Sequence, residues 1–153
     1  MIAETLLGRG DRAYDYYRRL APAFLDDHQE NHRAEPYVYA QMIAGPDSVR
    51  SGQAKNSWLT GSAAWNYVAI AHYMLGIRPE HNGLRIAPAI AQSTGSFQVT
   101  RHCRGAEYKI FVNCANNARE PGLYVNGVRL DTDIVPYAEP GAHVAVECLI
   151  HGC

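Results

Sequence analysis

Thr60, Gly61 and Ser62 place two hydroxyls and a flexible backbone where a polar loop runs into an apolar stretch. The stretch continues to Gly76, with Asn66 and His72 as the only polar side chains inside it. The first turn of a helix leaves its backbone N–H groups unpaired, so a helix starting here accepts an anion. The same hydroxyls also serve as ordinary helix caps. Gln41 is a second candidate, in an apolar neighbourhood where an unpartnered amide is costly. It either bonds backbone inside a core or faces a wet pocket. His28 and His32 are four apart near Asp26, Asp27 and Glu30; on a helix they would share a metal, but the H-E-x-x-H order and a third ligand are missing, so the segment reads as a solvated loop. Cys103, Cys114, Cys148 and Cys153 form no C-x-x-C pair and no zinc spacing, and read as reduced thiols in or near a core.

The elements that must position these residues change character along the chain. Ile2 to Leu7 reads as the tail of a helix with Gly8 as its end, and a start inside a helix suggests a piece of something longer. Asp11 would cap a second helix from Arg12 to about Leu20, with Ala13, Tyr16, Tyr17 and Leu20 on one side. Pro36 suits a first helical turn, and Gly45-Pro46 stops a segment in which Tyr37, Gln41 and Ala44 share a face. The run from Ser62 to Gly76 is apolar nearly all round, so its helix belongs inside a larger body. After a break near residues 77–83 the spacing shortens to strands: Leu84 to Ala87, Phe97 to Arg101, Tyr108 to Val112, a hairpin of Leu123 to Val125 and Val128 to Leu130 through Asn126-Gly127, and His143 to Ile150. These imply a small antiparallel sandwich.

The 153 residues are 47% hydrophobic and 19% charged, an ordinary globular balance, and the net charge of −1 gives no electrostatic ground for a nucleic acid or an anionic membrane as partner. No apolar run is long enough to span a membrane and no targeting peptide is visible, so a cytoplasmic location is expected.

Three segments carry a specific resemblance: Glu35 to Gly45, Ala54 to Trp65, and Leu75-Gly76-Ile77-Arg78-Pro79. Together with Leu7 to Ala13, Arg104 to Tyr108 and Val125-Asn126-Gly127, they resemble the cellobiose and chitobiose phosphorylases of glycoside hydrolase family 94. The resemblance implies an α+β chain in which residues 1–77 are the last helices of an (α/α)6 barrel and residues 78–153 a C-terminal β-sandwich domain. It implies cleavage of a β-linked disaccharide by inorganic phosphate to a sugar α-1-phosphate with inversion, no cofactor or metal, and a homodimer. Thr60 and Gly61 match the family's phosphate-holding pair, and Gln41 matches a glutamine of the same pocket. Ser62 stands where many members have Thr. The family's general-acid aspartate and its phosphate-binding histidine lie in upstream segments with no match here, so the chain alone is expected to be inactive. An alternative is a carbohydrate-binding or interaction module, with Tyr108, Phe111, Tyr124 and Tyr137 as a row of exposed aromatics.

Overall fold

The computed structural model describes residues 1–114 and 120–150. Helices α1 (Ile2–Leu6) and α2 (Gly10–Leu20) pack on each other, and both touch a later helical segment. Asp11 does not cap α2: it lies within the helix, and its carboxylate accepts a hydrogen bond from the Gln92 backbone N–H at 3.0 Å. The segment read as a solvated loop instead coils through a 3₁₀ turn at Asp26–His28 into α3 (Gln29–His32). His32 is 7% exposed there, which corrects that reading.

The helix expected over residues 36–44 does not form. The chain is extended, and β1 (Met42–Ile43) pairs antiparallel with β2 (Ala54–Lys55). Tyr37, Val38, Tyr39 and Ile43 are β-formers, and the paired strand offers their backbone a partner that an isolated nine-residue helix lacks.

The Ser62–Gly76 stretch is helical, as its composition requires. It begins as α4 (Ser62–Val68) and widens into a π-helical stretch over Ala69–Met74, marked by Leu75 N–H donating to Ile70 C=O at 2.8 Å. The expectation of burial fails for its first half. No residue of α4 is buried, whereas Ala69 and Met74 in the second half are, where the helix meets α1, α2 and β3. Gly76 ends it at φ +70°, and a β-carbon there would lie 2.2 Å from the Ala87 backbone.

From β3 onward the chain is sheet. A three-stranded antiparallel sheet, ordered β3-β4-β9, comprises β3 (Ile77–Pro79), β4 (Gly83–Ile86) and β9 (Ile134–Pro136). A five-stranded sheet is ordered β5-β6-β10-β7-β8: β5 (Phe97–Cys103), β6 (Ala106–Cys114), β7 (Gly122–Val125), β8 (Val128–Leu130) and β10 (His143–Ile150). Alternation aims Ala106, Tyr108, Ile110 and Val112 of β6 and Val144, Val146 and Cys148 of β10 into one core. Ile77, Leu84, Ile86 and Val135 of the smaller sheet join that core, so the two sheets bury one another. The expected hairpin is present, with Asn126 and Gly127 at φ +48° and +84°, the turn that matches strand twist. One pairing departs from an all-antiparallel sandwich: β10 runs parallel to β6, Val146 opposite Ile110.

Candidate functional site

Of the three residues singled out by sequence, one lines a concavity and the other two lie beside a residue that does. A cavity of about 380 Å³ is lined by Gln41, Ser62, Trp65 and Asn66, with Leu20, His32 and Tyr39 among its other lining residues. Gln41 is on its wall; Thr60 and Gly61 are not, and sit one step away through Ser62. The Thr60 and Ser62 hydroxyls are 2.8 Å apart, and Ser62 N–H donates to Thr60 Oγ1 at 3.0 Å. Thr60 therefore caps the first turn of α4 locally, while one lone pair and the hydroxyl hydrogens remain adjustable. Gly61 precedes α4 with φ −78°, ψ −1°, and only the Trp65 ring edge comes within 4 Å of a β-carbon built on it.

Gln41 is exposed and partnered by a side chain, not by core backbone: Asn56 Nδ2 donates to its Oε1 at 2.8 Å. It therefore does not bond backbone inside a core, the first of the two alternatives open from sequence. The Gln41 backbone N–H also donates to Lys55 C=O at 3.2 Å, extending the β1–β2 ladder. A second cross-link flanks the first. Trp58 Nε1 donates to Glu35 Oε1 at 2.8 Å, and Tyr37 meets the Trp58 ring edge-on at 6.4 Å. That indole donor, followed by a backbone N–H, holds the Glu35 carboxyl below its ordinary range. The Thr60-Gly61 loop is thus tied on its upstream side to the segment from Glu35 to Gln41 that leads into β1.

Sequence reasoning missed two contributors to this concavity. His32 looked like part of a solvated loop, and no local signal marked its burial. Asn66 was visible as a polar break in an apolar run, but its role was not. Its Nδ2 donates to Ser62 C=O at 2.8 Å, one turn back, and its Oδ1 is buried with no hydrogen-bond partner among the described residues. Buried acceptors are nearly always satisfied, so this one marks a place for an incoming donor.

The aromatic row of the alternative reading does not assemble. Tyr108 and Tyr124 are 0% and 8% exposed, and Tyr108 Oη accepts the Ala138 N–H at 2.8 Å inside the sandwich. Tyr137 is covered by the Arg104 guanidinium at 3.8 Å, and Phe111 lies on the other face of β6 from Tyr108. Cys103 and Cys148 are free thiols; burial pushes the Cys148 thiol up to about 11, keeping it protonated. Cys153 lies outside the described residues. Among the described residues no helix is long and apolar enough to cross a membrane.

Comparison with known proteins agrees with the motifs. Residues 1–76 match the catalytic domain of the glycosyl hydrolase 94 superfamily. An N,N'-diacetylchitobiose phosphorylase of Vibrio proteolyticus is 39% identical over 140 residues, 90% of this chain and 18% of its own length. A Vibrio furnissii protein of the same name is 40% identical over 132 residues, covering 85% of this chain and 16% of the relative. A solabiose phosphorylase of Paenibacillus borealis is 30% identical over 151 residues, 96% of this chain and 19% of the relative, so the similarity runs through the sheets as well as the helices. The chain spans less than a fifth of the length of these relatives. By its motifs and these matches, the chain belongs to the glycosyl hydrolase 94 superfamily.

Proposed function

We propose that this chain supplies one wall of the active site of an inverting disaccharide phosphorylase. In that reading, residues 1–77 are the last helices of an (α/α)6 barrel and residues 78–153 its C-terminal β domain. Inorganic phosphate is the co-substrate, and neither cofactor nor metal takes part. A phosphate oxygen attacks the anomeric carbon as the bond from that carbon to the glycosidic oxygen breaks. A general acid supplied from outside this chain protonates the departing oxygen, and the sugar leaves as its α-1-phosphate. Thr60 and the backbone at Gly61 hold the phosphate, and Gln41 lines the sugar side of the pocket. The substrate is a β-linked disaccharide of the cellobiose or chitobiose type, and the working assembly is a cytoplasmic homodimer.

The observation that carries this reading is the hydroxyl pair of Thr60 and Ser62 at the opening turn of α4, with Ser62 on the wall of a cavity that Gln41 and Asn66 also line. Adjustable hydroxyls beside an open helix start suit an oxyanion, and amides suit sugar hydroxyls. The relatives from Vibrio proteolyticus and Paenibacillus borealis are an N,N'-diacetylchitobiose phosphorylase and a solabiose phosphorylase, which supports the reaction class.

Two measurements test it. The purified 153-residue chain should show no phosphorolysis, since it brings no general acid; robust turnover would sink the assignment. In an active enzyme containing this chain, Thr60→Val should raise the phosphate KM about 10- to 100-fold, the cost of one lost hydrogen bond to a charged group. Disaccharide affinity should hold, and Thr60→Ser should restore phosphate use. An unchanged phosphate dependence in Thr60→Val contradicts the site.

A further inference from the structure

We propose that His32 is a sugar-binding residue, and that the cavity it shares with Gln41 and Asn66 takes a single sugar ring. This rests on the phosphorylase reading for the reaction and concerns the sugar, not the phosphate.

His32 carries the inference. It is 7% exposed and lines the cavity, and no hydrogen bond or ion pair reaches its ring among the described residues. A neutral imidazole has one donor and one acceptor, and burying both unmet is costly. Its position is set by the backbone. Arg33 ends α3 directly after it at φ +57°, a left-handed conformation that residues other than glycine seldom adopt. His28, the other histidine of that segment, is exposed, and among the described residues no group of three His, Cys, Asp or Glu could hold a metal ion. The two histidines therefore have separate roles, and that of His32 lies in the cavity.

The rest of the lining defines the ligand. Asn66 brings a second unmet group: its Nδ2 donates to Ser62 C=O, and its Oδ1 is buried without a partner. Gln41 commits its Oε1 to Asn56 and keeps amide hydrogens to donate. No Asp, Glu, Lys or Arg lines the cavity, so neither an anion nor a metal ion finds a countercharge there. Leu20, Val38, Ile43 and Trp65 make the remaining wall apolar. Apolar walls with a few polar groups suit a neutral ligand with hydroxyls at its edge and C–H groups on its face, which describes a sugar. About 380 Å³ is at the small end of ligand pockets, which span about 300–1,000 Å³, and so fits one ring better than an oligosaccharide. A site built to bond a hydroxyl rejects an analogue lacking it, because its own groups are then left unpaired.

That property supplies the test. In an active enzyme containing this chain, KM is measured for phosphate, for cellobiose and N,N'-diacetylchitobiose, and for their monodeoxy derivatives. His32→Phe keeps a ring and removes both nitrogens. It should raise the KM of the better disaccharide about tenfold, as for one lost hydrogen bond, and leave the phosphate KM unchanged. His28→Gln should match wild type. At one deoxy position the loss seen in wild type should be absent in His32→Phe, a coupling that a purely structural role does not produce. His32→Asn, smaller and still polar, carries the same series if His32→Phe does not fold. Losses that add at every deoxy position, or a rise confined to the phosphate KM, overturn the proposal. Tryptophan fluorescence titrated with glucose and N-acetylglucosamine reads binding without turnover, and saturation should weaken about tenfold in His32→Phe. Sugar binding of that kind without phosphorolysis rejects the phosphorylase reading and leaves the cavity standing. Phosphorolysis with additive losses rejects the cavity and leaves the reaction standing.

Discussion

Glu80 shows how much a single side chain is asked to hold at the seam between helices and sheets. Its carboxylate accepts from Arg78 Nη2 at 2.9 Å and Arg85 Nε at 2.5 Å, and Arg85 also reaches Asp133 on the far side. The Glu80 backbone carbonyl takes the Tyr137 hydroxyl at 2.6 Å, and Arg78 stacks 4.9 Å from the Tyr73 ring. The Arg85 and then the Arg78 hydrogen bonds pull the Glu80 carboxyl from 4.5 to about 2. Its folded pKa is depressed, so its stabilising contribution is complete above the ordinary carboxylate range and is lost as pH falls from about 5 toward 2. Urea midpoints measured across that window should therefore fall more steeply for the wild type than for Glu80→Gln. Parallel curves would show that the network is ornamental. Tyr108 offers a second single-residue test. Tyr108→Phe removes the acceptor of the part-buried Ala138 N–H and should cost about 1 kcal/mol by chemical denaturation. The legibility of such residues from sequence was uneven. Thr60, Gly61 and Gln41 stood out because hydroxyl, glycine and amide were out of keeping with their neighbours. Glu35 did not, because its partner Trp58 is 23 positions away, and nothing local marked the burial of His32.

Elements were readable where a pattern was local and self-sufficient. β5, β6 and β10 alternate cleanly, and Asn126-Gly127 dictates its own turn, so their positions followed from sequence alone. β3 and β9 were missed: three residues each, they have no alternation to detect and exist because β4 lies between them. The segment around Gln41 was read as helix because Pro36 and Gly45 bracket it as helix signals do, yet its pairing with Ala54–Lys55 decided the outcome. Tertiary context overrode a weak propensity. The apolar helix was read correctly and the burial of its first half was not, since burial depends on what surrounds it. Its end is firmly specified. Gly76→Ala combines a φ of +70° with a β-carbon 2.2 Å from Ala87 backbone, and should destabilise by more than about 2 kcal/mol in calorimetry or denaturant titration. Stability equal to wild type would mean that the Ala87–Pro88 backbone can move away freely.

Across the whole molecule, the two halves differ in how completely each buries its own apolar groups. Stability should follow that division. Amide exchange ought to be slowest at Tyr108, Ile110 and Val146, in β6 and β10, and fastest in the two-residue strands β1 and β2. Uniform protection across both halves would contradict it. The placement of β10 has a further consequence, in the order of events during synthesis. Residues 143–150 lie between β6 and β7, and both neighbours are made earlier in the chain. A ribosome therefore releases β5-β6 and β7-β8 as two hairpins that cannot join, each showing an open edge, until the strand that belongs between them has emerged. Pairing His143–Ile150 with Glu107–Cys114 joins residues 36 positions apart, which is slow relative to hairpin formation. The nascent chain thus passes through a stage in which its central strand is still missing, and that interval is when a chaperone, or a neighbouring chain, has its best access to the exposed edges of β6 and β7.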